Sequence, residues 1–326
     1  MQGKSLRERS AGPRVYVGID VCKAWLDVYL HPLDRRLRVA NSRDGLRRLK
    51  RELAGREVEL VVMEATGKFH RLAHRTLDAA GMPVAIVNPL RSRLFAEAIG
   101  ALAKTDAIDA RLLAILGCSL GPAARSPAPE AMEELQELLA ARQAATTEAT
   151  ALANRLGAST TAFLKTELKR RLASVKRHIL RLEAEIQRRI ASQPHLARRL
   201  AIVRSIPGIG PVAAAMLVVG LAELGACSNR AAALLTGLAP LACDSGERTG
   251  ERHIKGGRAP VRNTLYMAAV AACRCNPDLA IFYTRLRGAG KKAKVALTAV
   301  MRKLVVLANT LIREDRLWQP RPPIHA

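Results

Sequence analysis

Two short apolar runs in the first third of the chain each end close to a carboxylate. Residues 15–21 carry Asp20 near their end, and Glu64 follows directly after residues 58–63. Runs of this length and composition are typical of buried strands. An ionised side chain at the end of such a strand is costly unless it is paired or bound to a metal. These runs therefore predict a sheet with acids at the ends of its strands.

Further runs extend this pattern into an α/β layer. Residues 15–21 and 25–31 predict a hairpin, 83–87 predict another strand, and helical patterns lie between and after the strands. We expect this domain to span residues 15–120. Residues 1–14 are predicted to be a basic, disordered arm, and the Pro- and Gly-containing residues 121–130 a linker.

A second pair of acids begins a predicted helix. Asp106 and Asp109 are three residues apart, so they lie on one helix face and can point at one site. Together with Asp20 and Glu64 they suit Mg²⁺ or Mn²⁺, because nuclease-type phosphoryl transfer uses metal ions held by acidic oxygens from several elements. Each acid taken singly has another interpretation, as a turn residue or a helix cap.

The charge of the chain indicates its partner. Lys and Arg total 53 against 28 Asp and Glu, a formal charge of +25. This balance favours a polyanion, and nucleic acid is the most common one. Aromatic residues make up only 3% of the chain, which favours phosphate contacts over base stacking as the main mode of binding.

The cysteines and the apolar stretches predict a cytoplasmic protein without a membrane segment. None of the six cysteines forms a C-x-x-C pair, and no secretory signal follows the basic start. The longest uncharged stretch, residues 205–222, is interrupted early by Pro-Gly-Ile-Gly-Pro, which suits a turn and a helix better than a span.

A heptad pattern predicts a coiled coil over residues 131–195. The apolar positions alternate in steps of about three and four, and an upstream leucine-rich stretch suggests a partner helix after a break at residues 157–161. The seam predicts either an antiparallel hairpin in one chain or a helix that pairs two chains, and we expect a homodimer or a higher oligomer. Its members are Leu168, Leu172, Val175, Ile179, Leu182, Ile186 and Ile190.

The remaining chain predicts a helical domain at residues 196–315 and a tail at 316–326. Its first turn contains Gly208 and Gly210, as in a helix-hairpin-helix where backbone N–H groups contact a DNA phosphate. An ordinary tight helix–helix turn is the alternative.

A long polar loop in this domain contains a candidate nucleophile, Ser245, between apolar helices. Nearby cations would favour its alkoxide, although Asp-Ser-Gly is also a common turn sequence. The basic residues that we predict to contact phosphates are Arg252, Lys255, Arg258, Arg262, Lys291, Lys292 and Lys294.

Several motifs together resemble the DEDD transposases of insertion sequences, which are related to Piv-type DNA invertases. The first third contains Gly18-Ile-Asp20-Val, Glu64-Ala-Thr-Gly67, Val87-Asn-Pro89 and Lys104-Thr-Asp106-Ala-Ile-Asp109. The last third contains Ser205-Ile-Pro-Gly-Ile-Gly210, Gly237-Leu-Ala-Pro240, Asp244-Ser-Gly246, Lys255-Gly-Gly, Leu265-Tyr-Met267 and Gly290-Lys-Lys-Ala-Lys294.

This resemblance implies an RNase H/RuvC-like domain whose Asp20, Glu64, Asp106 and Asp109 bind Mg²⁺, and a helical transposase domain whose serine nucleophile is Ser245. It implies donor and target DNA as substrates, and a structured guide RNA as a partner. Two alternatives remain open: a RuvC-like hydrolytic junction nuclease that needs the acids but not the serine, and a non-catalytic nucleic-acid-binding protein.

Overall fold

A computed structural model describes residues 13–65, 67–101, 106–244 and 250–320, without the side chains of residues 106–108. The predicted N-terminal arm therefore lies almost entirely outside the described residues, as does most of the predicted tail. The chain divides into two compact units, Met1–Ala128 and Pro129–Ala326.

The first unit is built on a five-stranded mixed sheet. The strand order is β3-β2-β1-β4-β5, antiparallel from β3 to β1 and parallel from β1 to β5. The strands are β1 (Val15–Val21), β2 (Trp25–His31), β3 (Arg35–Ala40), β4 (Val58–Glu64) and β5 (Val84–Val87), and the helices are α1 (Arg43–Leu53), α2 (Arg71–Asp78), α3 (Pro89–Ala98) and α4 (Asp106–Leu120).

Apolar side chains cover both faces of this sheet. Val17 and Ile19 of β1 pack in a core with α1 and α2, whereas Leu60 and Val62 of β4 pack on the other face with Leu116 of α4. The predicted α/β layer is confirmed. Three antiparallel strands followed by two parallel strands, in this order, are consistent with an RNase H-like fold.

The second unit is almost entirely helical. It also contains a two-stranded antiparallel hairpin, β6 (Pro240–Leu241) and β7 (His253–Ile254). Its helices are α5 (Glu130–Ala158), α6 (Ala162–Ala191), α7 (Pro194–Arg204), α8 (Pro211–Gly220), α9 (Asn229–Leu235), α10 (Ala259–Cys275), α11 (Pro277–Gly288) and α12 (Ala293–Arg313).

Helices α5 and α6 form an antiparallel helical hairpin joined by residues 159–161. Arg142 on α5 binds Glu183 on α6 at 2.6 Å, and Arg189 on α6 binds Glu134 on α5. Towards the C-terminal end of the predicted seam, Ile186 is buried in the core that contains α8, α10 and α12. The predicted helical segment therefore shares a core with the C-terminal helices, whereas a coiled coil and pairing between chains stay predictions.

Helix α12 is long and apolar enough to cross a membrane by length and composition. Its apolar face is nevertheless part of the core of the second unit, where Val300, Leu304 and Ala308 are fully buried. This burial accounts for its hydrophobicity as that of a core helix. All six cysteines are free thiols, as the sequence predicts.

Candidate active site

Asp20 and Glu64 lie side by side at the carboxyl ends of two adjacent parallel strands. The pairing of β1 with β4 places Ile19 beside Met63, so the next residue on each strand is one of the two acids. Neighbouring strands lie about 4.8 Å apart. The register of a central parallel pair therefore brings together two carboxylates that are 44 positions apart in the sequence.

Both acids project from the face of the sheet that α4 covers. Gly18 precedes Asp20 by two residues and faces α4, because a Cβ atom there would lie 2.0 Å from the carbonyl oxygen of Ala110. Val62 precedes Glu64 by two residues and packs beside Gly117 of α4. Residues two apart in a strand point to the same face, so Asp20 and Glu64 also face α4.

Helix α4 brings its first turn towards these strand ends. Ala110 and Ala114 approach Gly18, whereas Gly117 approaches the earlier Tyr16 side chain, so the helix runs antiparallel to β1. Asp109, half-buried and one residue before Ala110, therefore lies on the part of α4 that is nearest to the end of β1. Asp106 is the first residue of α4, and its side chain lies outside the described residues.

The carboxylate of Glu64 has a partner in α3. The hydroxyl of Ser92 donates to Glu64 Oε2 at 2.7 Å, and the same hydroxyl lies 3.0 Å from the carbonyl oxygen of Pro89. Carboxylate oxygens are suitable donors for Mg²⁺ or Mn²⁺. Among the side chains that the structure describes, no three His, Cys, Asp or Glu residues cluster closely enough to hold a metal ion.

A further carboxylate on this face, Asp27, is missing from the sequence predictions. It pairs directly with Asp20 across β1 and β2, and cross-strand partners project to the same side. Arg38 of β3 binds it through two hydrogen bonds of 2.8 Å. Counting back from the predicted hairpin turn would have placed Asp27 opposite Asp20, but β3, which supplies its arginine, is not predicted.

The candidate nucleophile Ser245 lies outside the described residues, and its loop is described on both sides. Strands β6 and β7 pair antiparallel, so residues 242–252 connect the two strands of a hairpin. Asp244 accepts from Arg252 at 2.7 Å and from the amide of Gly250 at 3.1 Å. The hydrogen bond from Arg252 lowers the pKa of Asp244, and the Gly250 amide contributes. The contact is therefore present at neutral pH and is lost as the pH falls through that lowered pKa.

Three predicted phosphate contacts, Arg252, Arg258 and Arg262, are engaged within the protein, Arg252 through Asp244. Arg258 binds both carboxylate oxygens of Glu223 at 2.5 and 2.7 Å, and Arg262 donates to the carbonyl oxygen of Gly256 at 2.6 Å. These contacts fix the end of the loop to the helical core. The four predicted lysines are exposed, and their role in phosphate binding stays a prediction: Lys255, Lys291, Lys292 and Lys294.

The two glycines of the predicted helix-hairpin-helix turn have different surroundings. Gly208 has a φ of 99°, and a Cβ atom there would lie 2.5 Å from the side chain of Ala272 on α10. Close packing of the turn against α10 therefore explains Gly208. Gly210 caps the start of α8, has open space around it, and remains available for the predicted phosphate contact.

An RNase H-like sheet with acids at its parallel strand ends, in a basic chain with a helical second unit, is typical of enzymes that act on the phosphodiester backbone of nucleic acids. Residues 17–163 match a family model of the DEDD transposase domain of IS110, described as "Transposase". Residues 200–284 match a model described as "Transposase IS116/IS110/IS902 family". The chain belongs to the IS110 family of DEDD transposases and is a DNA transposase or recombinase.

Individual relatives agree with this assignment. The chain is 27% identical to the pilin gene-inverting protein of Moraxella bovis, over 94% of this chain and 98% of that protein. It is 33% identical to an uncharacterised protein of the insertion element IS116 of Streptomyces clavuligerus, over 39% of this chain and 32% of that protein. DEDD transposases typically use a divalent metal ion.

Proposed function

We propose that this transposase cuts and rejoins DNA through a covalent serine–DNA intermediate, with Mg²⁺ held by Asp20, Glu64, Asp106 and Asp109. The observation that carries the proposal is the pairing of β1 with β4, which sets Asp20 beside Glu64 on the face covered by α4. The antiparallel course of α4 supports the inclusion of Asp109. A bound Mg²⁺ would polarise the scissile phosphate and stabilise the charge that develops on it.

The chemistry assigned to Ser245 is a reversible transesterification. Its hydroxyl loses a proton as the Oγ–P bond forms, the P–O bond to one deoxyribose breaks, and the released sugar hydroxyl takes up a proton. Attack by the sugar hydroxyl of another strand reverses these steps and frees the serine. The number of phosphoester bonds is conserved, which agrees with a sequence that has no Walker A motif.

The partners follow from the charge and the family. A net charge of +25 supports binding of donor and target DNA, and we extend the proposal to a structured guide RNA that selects them. We also propose a homodimer or higher oligomer in the cytoplasm. The relative named for pilin gene inversion supports site-specific recombination as the outcome.

The covalent intermediate gives the direct test of the serine. Ser245→Ala should abolish strand cleavage and the protein–DNA adduct, because the substitution removes the hydroxyl that is proposed to form the phosphoester bond. The measurement uses end-labelled DNA that carries the element ends, a denaturing gel for the adduct, and mass spectrometry to locate the modified residue.

Ser174→Ala is the matched control, because Ser174 is exposed on α6 and the substitution removes the same hydroxyl. It should form the adduct as the parent chain does. Cleavage that persists in Ser245→Ala would instead identify a hydrolytic junction nuclease. Absence of cleavage by the parent chain with divalent metal would favour a non-catalytic binding protein.

Complementation tests whether the active site combines two chains. Asp20 and Ser245 belong to different units, and the predicted α6 seam suggests that chains pair. A mixture of Asp20→Ala and Ser245→Ala proteins should then recover part of the cleavage activity, because some mixed dimers would contain one intact site. No recovery, with mixed dimers demonstrated by crosslinking, would mean that each chain builds its own site.

A further inference from the structure

Two neighbouring clefts on the second unit have no role in the chemistry proposed above. The first, of about 830 Å³, lies between the β6–β7 hairpin and α12. The second, of about 740 Å³, lies between α11, α12 and the chain that follows α12. Phe282, Lys303 and Val306 line both clefts, so the two form one continuous surface, which we call the α11–α12 groove.

Positive charge dominates this groove. Six Arg and Lys side chains line it, and Asp278 is the single carboxylate among its described lining residues. Arg252 and Arg316 are bound to Asp244 and Glu314. The other four cations are exposed: Arg230, Arg285, Arg302 and Lys303.

Aromatic and aliphatic side chains form the walls between these cations. The ring of Phe282 separates the two clefts, with Arg285 and Lys303 each 5.4 Å from its centroid. Trp318 lines the second cleft and is fixed there by its backbone N–H, which donates to Ser205 Oγ at 2.7 Å. The chain has only four Phe and two Trp residues, and one of each lies in this groove.

We propose that the α11–α12 groove binds a single-stranded stretch of polynucleotide. Exposed cations beside apolar and aromatic walls suit an alternation of phosphates and unstacked bases. The bases of a duplex are already stacked on one another and cannot reach a ring inside a cleft, so a duplex would use the cations alone. The first cleft also adjoins the hairpin whose loop carries Ser245, so the bound strand would lead towards that loop. The proposal rests on the proposed function to the extent that DNA strand exchange, or a guide RNA, supplies such a strand.

Fluorescence anisotropy on the full chain tests this assignment with three labelled probes of about 12 nucleotides, a length within the usual range of single-strand sites. The probes are single-stranded DNA, single-stranded RNA and duplex DNA of one sequence. Phe282→Leu keeps an apolar side chain but removes the ring, and it should weaken single-strand binding by roughly tenfold with little change for the duplex. A larger loss for RNA or for DNA identifies which strand uses the groove.

Charge removal gives a second measurement that does not depend on the Phe282 variant being folded. The double variant Arg302→Gln/Lys303→Gln should lower the slope of log K against log salt for single strands by about 1.4, the value for two phosphate contacts. Lys176→Gln/Arg177→Gln, an exposed neighbouring pair on α6, is the matched control and should leave the slope unchanged. Equal effects of both pairs, or equal losses for single strands and duplex in Phe282→Leu, would overturn the groove assignment.

Cleavage of duplex DNA by the parent chain, measured in parallel, separates this proposal from the proposed function. If the groove variants lose single-strand binding as expected but the parent chain cleaves no DNA, the groove assignment stands and the serine chemistry is rejected. If the parent chain cleaves DNA and the groove variants bind all probes normally, the groove assignment is rejected and the proposed function stands.

Discussion

Asp20→Asn should reduce strand cleavage by roughly a thousandfold or more, because a carboxylate that holds a catalytic metal contributes several kcal/mol to transition-state stabilisation. Asparagine has the shape of aspartate without its charge, so the strand pairing of β1 should persist. Glu64→Gln should have an effect of similar size. The measurement is the rate of cleavage of labelled DNA at saturating Mg²⁺.

Thermal melting separates metal loss from misfolding. Carboxylates that face one another repel, so Mg²⁺ should raise the melting temperature of the parent chain. The same addition should have much less effect on Asp20→Asn. Glu59→Gln removes one charge from an exposed position of β4 and is the matched control, with normal cleavage and a normal response to Mg²⁺. Full activity in Asp20→Asn would contradict the metal site.

Gly18→Ala should destabilise the first unit by about 3 kcal/mol or more, at the upper end of the range for overpacking. The new methyl group would lie 2.0 Å from the carbonyl oxygen of Ala110 and 2.4 Å from the amide nitrogen of Ala114. Both are backbone atoms, so no side-chain rotation relieves the clash and α4 must move away from β1. Because α4 carries Asp109, cleavage should also fall.

Urea unfolding in a Trp318→Phe background measures this effect. The remaining tryptophan, Trp25, lies on β2, so its fluorescence reports on the first unit. Gly157→Ala is the matched glycine substitution, because its new methyl group meets nothing within 4 Å and Gly157 lies within α5. Alanine there should be neutral or stabilising by up to about 1 kcal/mol. An unchanged urea midpoint in Gly18→Ala would show that α4 does not need this close approach.

The sequence alone predicts the strands with strong apolar content. The predicted runs 15–21, 25–31 and 58–63 coincide with β1, β2 and β4 almost to the residue, because buried neighbours on both faces demand β-branched and aliphatic side chains. Strand β3 is not predicted because three of its six residues are arginines and only Val39 is buried. Such a strand lies at the edge of the sheet, where one side needs no pairing partner and charge is tolerated.

The candidate site, like the fold, is determined partly by the sequence alone and partly by the tertiary structure. The sequence determines which residues can bind metal or attack a phosphate, since the acids at strand ends, the i, i+3 pair and the serine loop are local patterns. Only the tertiary structure decides which of these residues lie close together and which partners they bind. The register of β1 with β4, the antiparallel course of α4 and the Arg38 that binds Asp27 each depend on contacts between residues distant in the chain. The same holds for Arg258, which the local pattern predicts to contact a phosphate. In the folded chain it binds Glu223 instead, because the turn after α8 lies beside the start of α10.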